Sequence, residues 1–343
     1  RTQSTVPINS QQMLKDIYTP GVARVCLAIQ KDPSLARDYT AIHNTVALVT
    51  NGTAILGLGD IGAVAGMPVM EGKAALMASL AGLNAVPILT ELRDPGKLVE
   101  TIVAIAPSFG AIQLEDIAAP DCFTIEDQLR ERVGIPVLHD DQHGTAVVAL
   151  AAVRNAGRMA DQRLSQSVVG QIGLGAAGIG ISRLLLARGV ENVLGTDLDP
   201  GALQRFEAMG GQPADLGDLL ARADIVIATT GVRDLIRPEQ VRPGQVILAL
   251  SNPDPEIEPR DALKAGAAFA ADGKSINNVL GFPGLFRGAL DAGATRFTDA
   301  MLVAAAEAIG DHAAHGDLVP DPLDPALHEA VAAAVRAAVD EGT

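Results

Sequence analysis

The sequence predicts an α/β fold, and three observations support this prediction. The chain has 343 residues, which is enough for two domains that each bury a full hydrophobic core. Short apolar runs alternate with Ala- and Leu-rich stretches of helical spacing over most of its length. One apolar run, beginning at Val168, ends in a glycine-rich turn that leads directly into a helical pattern. Alternation of this kind is typical of parallel sheets covered by helices.

The elements of the N-terminal part follow from apolar spacing and turn residues. Short helices are expected over residues 1–40, including a periodic apolar stretch from Val22 to Ile29. Two apolar runs flank Asn51-Gly52, a dipeptide that strongly favours a two-residue β-hairpin between 45–50 and 53–57. Beyond them, the pattern predicts helices at 73–81, 95–106 and 145–156, and strands at 86–90, 111–114 and 135–138.

The stretch from Val168 to Leu186 carries the strongest functional signal. Its glycines match a dinucleotide-binding turn: the first permits the turn, the second lets backbone approach a pyrophosphate, and the third allows close helix–strand packing. A second apolar run ends about 20 residues later in an acid, where a carboxylate can bind a ribose. The alternative is an ordinary tight turn between a strand and a helix. The residues predicted to contact the dinucleotide here are Gly173, Gly175, Ala176, Ala177, Gly178 and Asp197.

Later runs predict that this region is a doubly wound, Rossmann-type domain. Apolar segments at 223–228 and 245–250 each end in small or polar residues, as parallel strands beside a binding crevice do. Asp197 favours NAD, because its charge would repel the 2′-phosphate of NADP and no arginine occurs in residues 198–202. NADP stays possible, since Asp197 or Asp199 could instead cap the next helix.

Composition limits the partners and the compartment. The formal net charge of −15 repels phosphate backbones and anionic lipids, so neither nucleic acid nor a membrane is an expected partner. The apolar region 167–187 is interrupted by polar residues and glycines, which argues against a transmembrane helix. The two cysteines, Cys26 and Cys122, are too few for a disulfide framework, so we expect a cytoplasmic protein.

Acidic residues follow two neighbouring predicted strands. Glu115 and Asp116 come directly after one strand, and Asp140 and Asp141 follow the next. Because parallel strands end at the same edge of a sheet, these oxygens are expected to converge, and such ligands suit Mg²⁺ or Mn²⁺. The alternative for either pair is helix capping, since Asp is a preferred N-cap residue. The two histidines that flank the second pair are expected to be hydrogen-bonding neighbours rather than ligands.

Nine ordered motifs together resemble malic enzymes of the compact bacterial type. Such enzymes oxidise and decarboxylate L-malate to pyruvate and CO2 with NAD or NADP and a divalent metal, and the resemblance implies the same activity, and oxaloacetate decarboxylation, here. The motifs are Ile17–Ala23, Ile55–Gly62, Pro68–Lys73, Leu114–Ile117, His139–Thr145, Gly173–Gly178, Leu250–Pro253, Ile276–Asn278 and Gly281–Gly288.

The resemblance assigns roles to individual residues. It implies that Glu115, Asp116 and Asp141 bind the metal, with Asp140 supporting the site from behind these ligands. Lys73 matches the base that removes the C2 hydroxyl proton, and burial beside a cation is expected to lower its pKa toward the working range.

Three further residues receive roles in the same way. Tyr18 matches the acid that protonates C3 of the enolpyruvate. Asn252 and Asn278 match amides that contact the substrate and the nicotinamide. Without the motif, each of these residues would be interpreted as an ordinary turn residue.

The resemblance also implies a homodimer and a division of the chain. We expect a substrate and metal domain at 1–144, an NAD(P)-binding domain at 145–275, and a C-terminal part at 276–343 that completes the active site. One position departs from the family pattern: Ala54 stands where larger members carry an arginine for the substrate carboxylate. Arg93 and Arg287 are the candidate replacements.

Two other functions fit part of the sequence. A metal-independent amino-acid or hydroxy-acid dehydrogenase would explain the glycine turn but leave the paired acids unexplained. A nucleotide-sensing module without catalysis would leave Lys73 and Tyr18 unexplained.

Overall fold

A computed structural model of the protein describes residues 7–55 and 58–340. It contains two sheets, and all paired strands within them are parallel. The α/β prediction is therefore confirmed. No helix among the described residues is long and apolar enough to cross a membrane.

The first sheet has four strands in the order β2-β1-β3-β4. Its strands are β1 Thr45–Thr50, β2 Asn84–Leu89, β3 Ala111–Leu114 and β4 Val137–His139. Strand β2 lies on one side of β1, and β3 and β4 lie on the other, so the crossover point is between β1 and β3. The carboxyl ends at such a point form a crevice that is open to a ligand.

The second sheet has six strands in the order β10-β9-β8-β5-β6-β7. Its strands are β5 Val168–Ile172, β6 Asn192–Thr196, β7 Gln212–Pro213, β8 Ile225–Ala228, β9 Val246–Ala249 and β10 Phe269–Asp272. The crossover point lies between β5 and β8, as in doubly wound nucleotide-binding domains. Both faces of the central strands are buried, which explains their continuous apolar runs.

Helices cover the sheets and join them. The long helix α7 follows the first sheet directly and packs against α8 and α13. The helices are α1 Gln11–Ile17, α2 Val22–Lys31, α3 Ala36–Tyr39, α4 Met67–Ala81, α5 Pro95–Ile105, α6 Asp121–Arg132, α7 Thr145–Met159, α8 Ala176–Ala187, α9 Pro200–Ala208, α10 Leu216–Arg222, α11 Pro259–Lys264, α12 Phe282–Asp291, α13 Asp299–His312 and α14 Pro325–Asp340.

The predicted hairpin at Asn51-Gly52 is wrong. Strand β1 is already paired on both edges, with β2 and with β3, so no edge is free for an antiparallel partner. The N–H groups of Thr53 and Ala54 instead donate to the carbonyl of Asp116. Residues 1–6 of the predicted N-terminal helices, and 56–57 of the predicted second hairpin strand, lie outside the described residues.

Other predicted elements lie close to the observed ones. Helix α4 begins six residues before the predicted start at Lys73, and β4 extends one residue beyond the predicted strand. Strands β7 and β10 and helices α10 and α11 were not predicted, since they are short and carry little periodic signal. The domain boundaries at 144/145 and 275/276 stay predictions.

Candidate active site

Three carboxylates meet at the carboxyl ends of β3 and β4. Glu115 and Asp116 follow β3, and Asp141 lies in the wide helical turn Asp140–Gly144 after β4. Each offers one oxygen, and these oxygens all lie within 4.8 Å of one another. Glu115 and Asp116 are buried, whereas Asp141 is partly accessible. The cluster is therefore closed to solvent at Glu115 and Asp116 and accessible to solvent at Asp141.

Backbone contacts hold this cluster in place. Asp116 adopts a left-handed conformation with φ 53°, which is uncommon for a residue other than glycine and occurs often at functional sites. Its N–H donates to Asp141 Oδ2 at 2.9 Å. Gln113, buried inside β3, donates from Nε2 to Glu115 Oε2 at 2.8 Å. Both acids that follow β3 are thus held by hydrogen bonds, Glu115 to a residue of β3 and Asp116 to the turn after β4.

Lys73 lies behind the cluster, in the second turn of α4. Its Nζ is 2.5 Å from Asp140 Oδ2 and 3.1 Å from Glu115 Oε1. The ring of Phe282 lies 4.7 Å from Nζ and covers it on another side. Asn278 Nδ2 donates to Asp140 Oδ2 at 3.1 Å. The structure therefore brings Lys73, Asp140 and Asn278 together with the three carboxylates.

The pKa of Lys73 shifts in the direction opposite to the prediction. Burial by itself lowers this pKa, but the charges of Asp140 and Glu115 outweigh burial and raise it above its ordinary value. Burial also raises the pKa of Glu115 well above its ordinary value, although Lys73 acts against this rise. The predicted lowering assumed a neighbouring cation, whereas two carboxylates contact this lysine.

The second sheet presents the glycine turn to the same region. Gly173 has φ +88°, and a Cβ on Gly178 would lie 1.9 Å from the Gly173 carbonyl oxygen. A Cβ on Gly175 would meet nothing within 4 Å, so the face of this residue is open. Asp197, at the end of β6, accepts hydrogen bonds from the N–H groups of Leu174 and Asp199 at 2.6 and 2.9 Å. Its carboxylate is therefore joined to the glycine turn.

One cavity connects the two sheets. It has a volume of about 520 Å³, and its lining includes Asp141 from the carboxylate cluster and Ala176 and Ala177 from the start of α8. Ala54 and Asn252 also line it. The described lining contains no lysine or arginine. The cavity thus places the acid cluster and the nucleotide-binding turn in one cleft.

Tyr18 and the two candidate arginines make no described contact with the acid cluster. The side chain of Tyr18 is on the surface, 65% exposed, and no described hydrogen bond joins it to Lys73. Arg287 pairs with Asn44 and Asp291, next to the amino end of β1 and away from the acids. Arg93 pairs with Asp60 at 2.9 Å, and both side chains are about half exposed.

The two histidines of the motif lie beneath the cluster. Nε2 of His143 is 2.9 Å from Glu126 Oε2, and both residues are buried. Nε2 of His139 lies 3.6 Å from Asp141 Oδ2. Burial alone would raise the pKa of Glu126, but His143 and Arg130 outweigh burial and lower it to about 2. This buried contact between His143 and Glu126 joins the turn that carries Asp140 and Asp141 to helix α6.

The fold and the site define a dinucleotide-dependent oxidoreductase whose reactive groups lie between two α/β sheets. Residues 1–96 match the family model of the malic enzyme N-terminal domain, and residues 142–206 and 215–341 match that of the malic enzyme NAD binding domain. These matches cover more than half of the chain. The chain therefore belongs to the malic enzyme family, as the sequence motifs predicted.

Individual relatives agree with this assignment. NAD-dependent malic enzyme 1 of Bacillus subtilis is 59% identical over 97% of this chain and 76% of that protein. The NADP-dependent malic enzyme of Escherichia coli is 40% identical over 98% of this chain and 50% of that protein. The crystal structure of malic enzyme from Pyrococcus horikoshii superposes with a TM-score of 0.93 at 39% identity, covering 100% of this chain and 87% of that one.

Sequence reasoning missed several polar residues that shape the site. Gln113 carried a usable signal, since a polar residue inside a buried strand, two positions before Glu115, must face the same side as that acid. Gln171 in β5 carried the same kind of signal. Glu126 carried none, because its importance depends on a contact with His143 from another element.

The buried pair predicts a large effect of changing His143. His143→Leu leaves the Glu126 carboxylate buried without its partner and is expected to cost about 3–5 kcal/mol of unfolding free energy. Glu126→Gln in the same chain should recover part of this loss, because the buried charge is removed. Thermal melting of the wild type, both single variants and the double variant measures the coupling.

The pair also predicts a pH dependence. The pKa of Glu126 falls from 4.5 to about 2 on folding, so its contribution to stability is complete above pH 4.5 and is lost as the pH falls toward 2. The difference in melting temperature between wild type and His143→Leu should therefore shrink over that range. A His143→Leu chain that melts like wild type at pH 7 would contradict the assignment.

Proposed function

We propose that this protein catalyses the oxidative decarboxylation of L-malate to pyruvate and CO2 with reduction of NAD, and also decarboxylates oxaloacetate. One observation carries the proposal: a single cavity is lined both by Asp141 of the acid cluster and by Ala176 and Ala177 of the glycine turn. A hydroxy acid held at the cluster would therefore lie beside the dinucleotide. Membership of the malic enzyme family supports malate as that acid.

We propose that Glu115, Asp116 and Asp141 hold a Mg²⁺ or Mn²⁺ ion. The donor set fits a hard divalent cation, because three carboxylates that follow two neighbouring strands each offer an oxygen within 4.8 Å of the others. When bound, such an ion would polarise the C2 oxygen of malate and stabilise the negative charge that develops during oxidation and decarboxylation.

The residues of the chain divide the proton transfers. Lys73 first passes a proton to Asp140, which lies 2.5 Å from Nζ, and the neutral amine then takes the proton of the C2 hydroxyl as hydride leaves C2 for the nicotinamide. Asn278 orients Asp140 through the hydrogen bond at 3.1 Å. Asn252 faces the cavity and is available to the substrate or the nicotinamide. Tyr18, which lies on the surface of the single chain, supplies the proton to C3 after CO2 leaves only where assembly brings it to the site.

We propose that NAD is preferred over NADP. Asp197 is held at the end of β6 by the N–H of Leu174, so its charge lies beside the turn that binds the pyrophosphate. A 2′-phosphate near this carboxylate would be repelled. The nearest cation on the following helix, Arg205, is 3.5 Å from Asp199 and stacks on Phe123, so it is engaged elsewhere. Relatives of both cofactor types exist, which makes this a question for measurement.

We propose that the working enzyme is a homodimer. Helices α1 and α2 bury none of their residues, and they and the chain around them expose a set of large apolar side chains. We name this set the N-terminal apolar surface, and its members are Ile8, Leu14, Ile17, Tyr18 and Leu27. An exposed set of this kind marks an interaction surface. Because Tyr18 belongs to it, the catalytic role of this tyrosine requires the surface to be covered in the assembled enzyme.

We also propose a cytoplasmic location. Both cysteines are free thiols, Cys26 exposed and Cys122 buried. Free thiols are typical of a reducing compartment.

The activity and the metal are tested together. With L-malate, NAD and Mn²⁺ the protein should form NADH and pyruvate, and chelation should abolish this. Asp116→Asn should lower activity at least about 100-fold and weaken Mn²⁺ binding measured by calorimetry, because one carboxylate is lost. Asp121→Asn, an exposed acid at the start of α6, is the matched control. Full activity in metal-free buffer would favour the metal-independent dehydrogenase instead.

Cofactor preference is tested at Asp197. The ratio of kcat/KM for NAD to that for NADP should favour NAD in the wild type and fall in Asp197→Ser. Asp199→Ser is the control: Asp199 accepts from the N–H groups of Gly201 and Ala202 and caps α9, and serine is an equally good N-cap residue, so this change should alter neither the fold nor the ratio. A wild-type ratio that favours NADP would overturn the proposal.

The dimer is tested by placing a charge on the N-terminal apolar surface. Leu27→Glu should reduce the mass seen by light scattering from that of a dimer toward that of a monomer, because a carboxylate would be buried in the interface. Leu323→Glu is the control, since Leu323 is 66% exposed against 65% for Leu27 but lies far along the chain. A monomeric wild type, or an unchanged Leu27→Glu dimer, would contradict the proposal.

A further inference from the structure

Glu256 is a buried carboxylate that no role described so far uses. It is 0% exposed and follows β9 by seven residues, on the second sheet rather than at the acid cluster. No ion pair among the described residues includes it. A carboxylate buried without a cation is costly unless hydrogen bonds satisfy it, so its surroundings need an explanation.

One oxygen of Glu256 accepts four hydrogen bonds. Thr230 donates to Oε1 from its N–H at 2.6 Å and from its hydroxyl at 2.8 Å. The N–H of Gly231 donates at 3.3 Å, and the hydroxyl of Ser251 at 2.6 Å. Ser251 Oγ also accepts from the Gly231 N–H at 2.8 Å. Hydrogen bonds to an ionised acceptor are the strong ones, so this contact joins its two segments firmly.

The two segments are the loops that follow β8 and β9. Residues of both loops line the cavity that contains Asp141: Thr229 from the first, and Leu250, Ser251 and Asn252 from the second. Glu256 lies outside this lining and holds the loops from behind. Glu256 therefore connects the two loops beneath the wall that they form in the cavity.

Gln171 makes the corresponding link to the glycine turn. Buried in β5, it donates from Nε2 to the hydroxyl of Thr229 at 2.8 Å and to the carbonyl of Gly173 at 3.1 Å. Gln171 thus joins the loop after β5 to the loop after β8, and Glu256 joins the loop after β8 to the loop after β9. These loops border the crossover point between β5 and β8, where doubly wound sheets bind dinucleotides.

The sheet order separates the two halves of the dinucleotide. Strand β6, with Asp197, lies on one side of the glycine turn, and β8 and β9 lie on the other. The adenosine ribose belongs at the acid that ends β6, so the nicotinamide half extends over the ends of β8 and β9. That half also lies toward Asp141, which shares its cavity with Thr229 and Ser251.

We propose that Glu256 is a positioning residue for the nicotinamide half of the dinucleotide. It acts through Thr230, Gly231 and Ser251, whose loops form the wall that the nicotinamide riboside contacts. The adenosine half depends on the glycine turn and Asp197, and it does not depend on Glu256. The inference rests on dinucleotide binding, the part of the proposed function that needs neither malate nor a metal.

Calorimetric binding of two ligands separates this role from a general effect on folding. NADH carries both halves, whereas adenosine diphosphate ribose lacks the nicotinamide. In Glu256→Gln the dissociation constant for NADH should rise about tenfold, since the neutral amide oxygen accepts the hydrogen bonds of both loops without the negative charge that strengthens them. The constant for adenosine diphosphate ribose should stay within about twofold of wild type. Glu239→Gln, an exposed glutamate of the same domain, is the matched control for the substitution itself.

Each result decides the inference. Wild-type affinity for NADH in Glu256→Gln, or an equal loss for both ligands, would overturn it. If Glu256→Gln does not fold, Ser251→Ala removes a single donor and no buried charge. This variant should raise the dissociation constant for NADH about threefold and leave that for adenosine diphosphate ribose unchanged. An unchanged affinity for NADH in Ser251→Ala would also overturn the inference. Failure of the wild type to bind NADH would contradict the proposed function itself, which distinguishes the two failures.

Discussion

The ion pairs of Lys73 with Asp140 and Glu115 are the interaction on which the rest of the site depends. Four carboxylates lie near the ends of β3 and β4, and three of them are buried, so their mutual repulsion and lost hydration must be offset. Lys73 is the one lysine in contact with them among the described residues. Because it extends from α4, this helix is bound to the first sheet at the point where the acids converge. The C-terminal part joins the same point through Asn278 and Phe282.

The same electrostatics explains why the charge state of Lys73 could not be predicted from the motif. The sequence identified the residue, but the shift of its pKa depends on which carboxylates it contacts. Asp140 and Glu115 are both within 3.1 Å, and their charges outweigh the effect of burial. A cation bound by Glu115, Asp116 and Asp141 would offset part of this negative charge, so occupancy of that position and the basicity of Lys73 are expected to be linked.

The sequence predicted best those features that depend on local pattern. The strand before Gly173, the helix after it and the acid that ends β6 all followed from spacing, because apolar periodicity and glycine conformation are local properties. The hairpin at Asn51-Gly52 failed because pairing of β1 with two parallel neighbours overrides the local preference of a dipeptide. The surface position of Tyr18 and the roles of Glu126 and Glu256 depend on contacts between distant segments, which a single sequence does not encode as spacing.

The turn Asp140–Gly144 shows how these distant contacts couple the two sheets. Its first residues carry Asp140 and Asp141 toward the acid cluster, while His143 is held from below by Glu126. Between them, the carbonyl of Gln142 packs against α8 so closely that a Cβ on Gly180 would lie 2.3 Å from its oxygen. Helix α8 begins at the glycine turn, so five consecutive residues join the candidate metal ligands to the helix proposed to face the pyrophosphate. A displacement of α8 is therefore expected to move the turn that carries Asp140 and Asp141, because tightly packed contacts of this kind transmit displacement rather than absorb it.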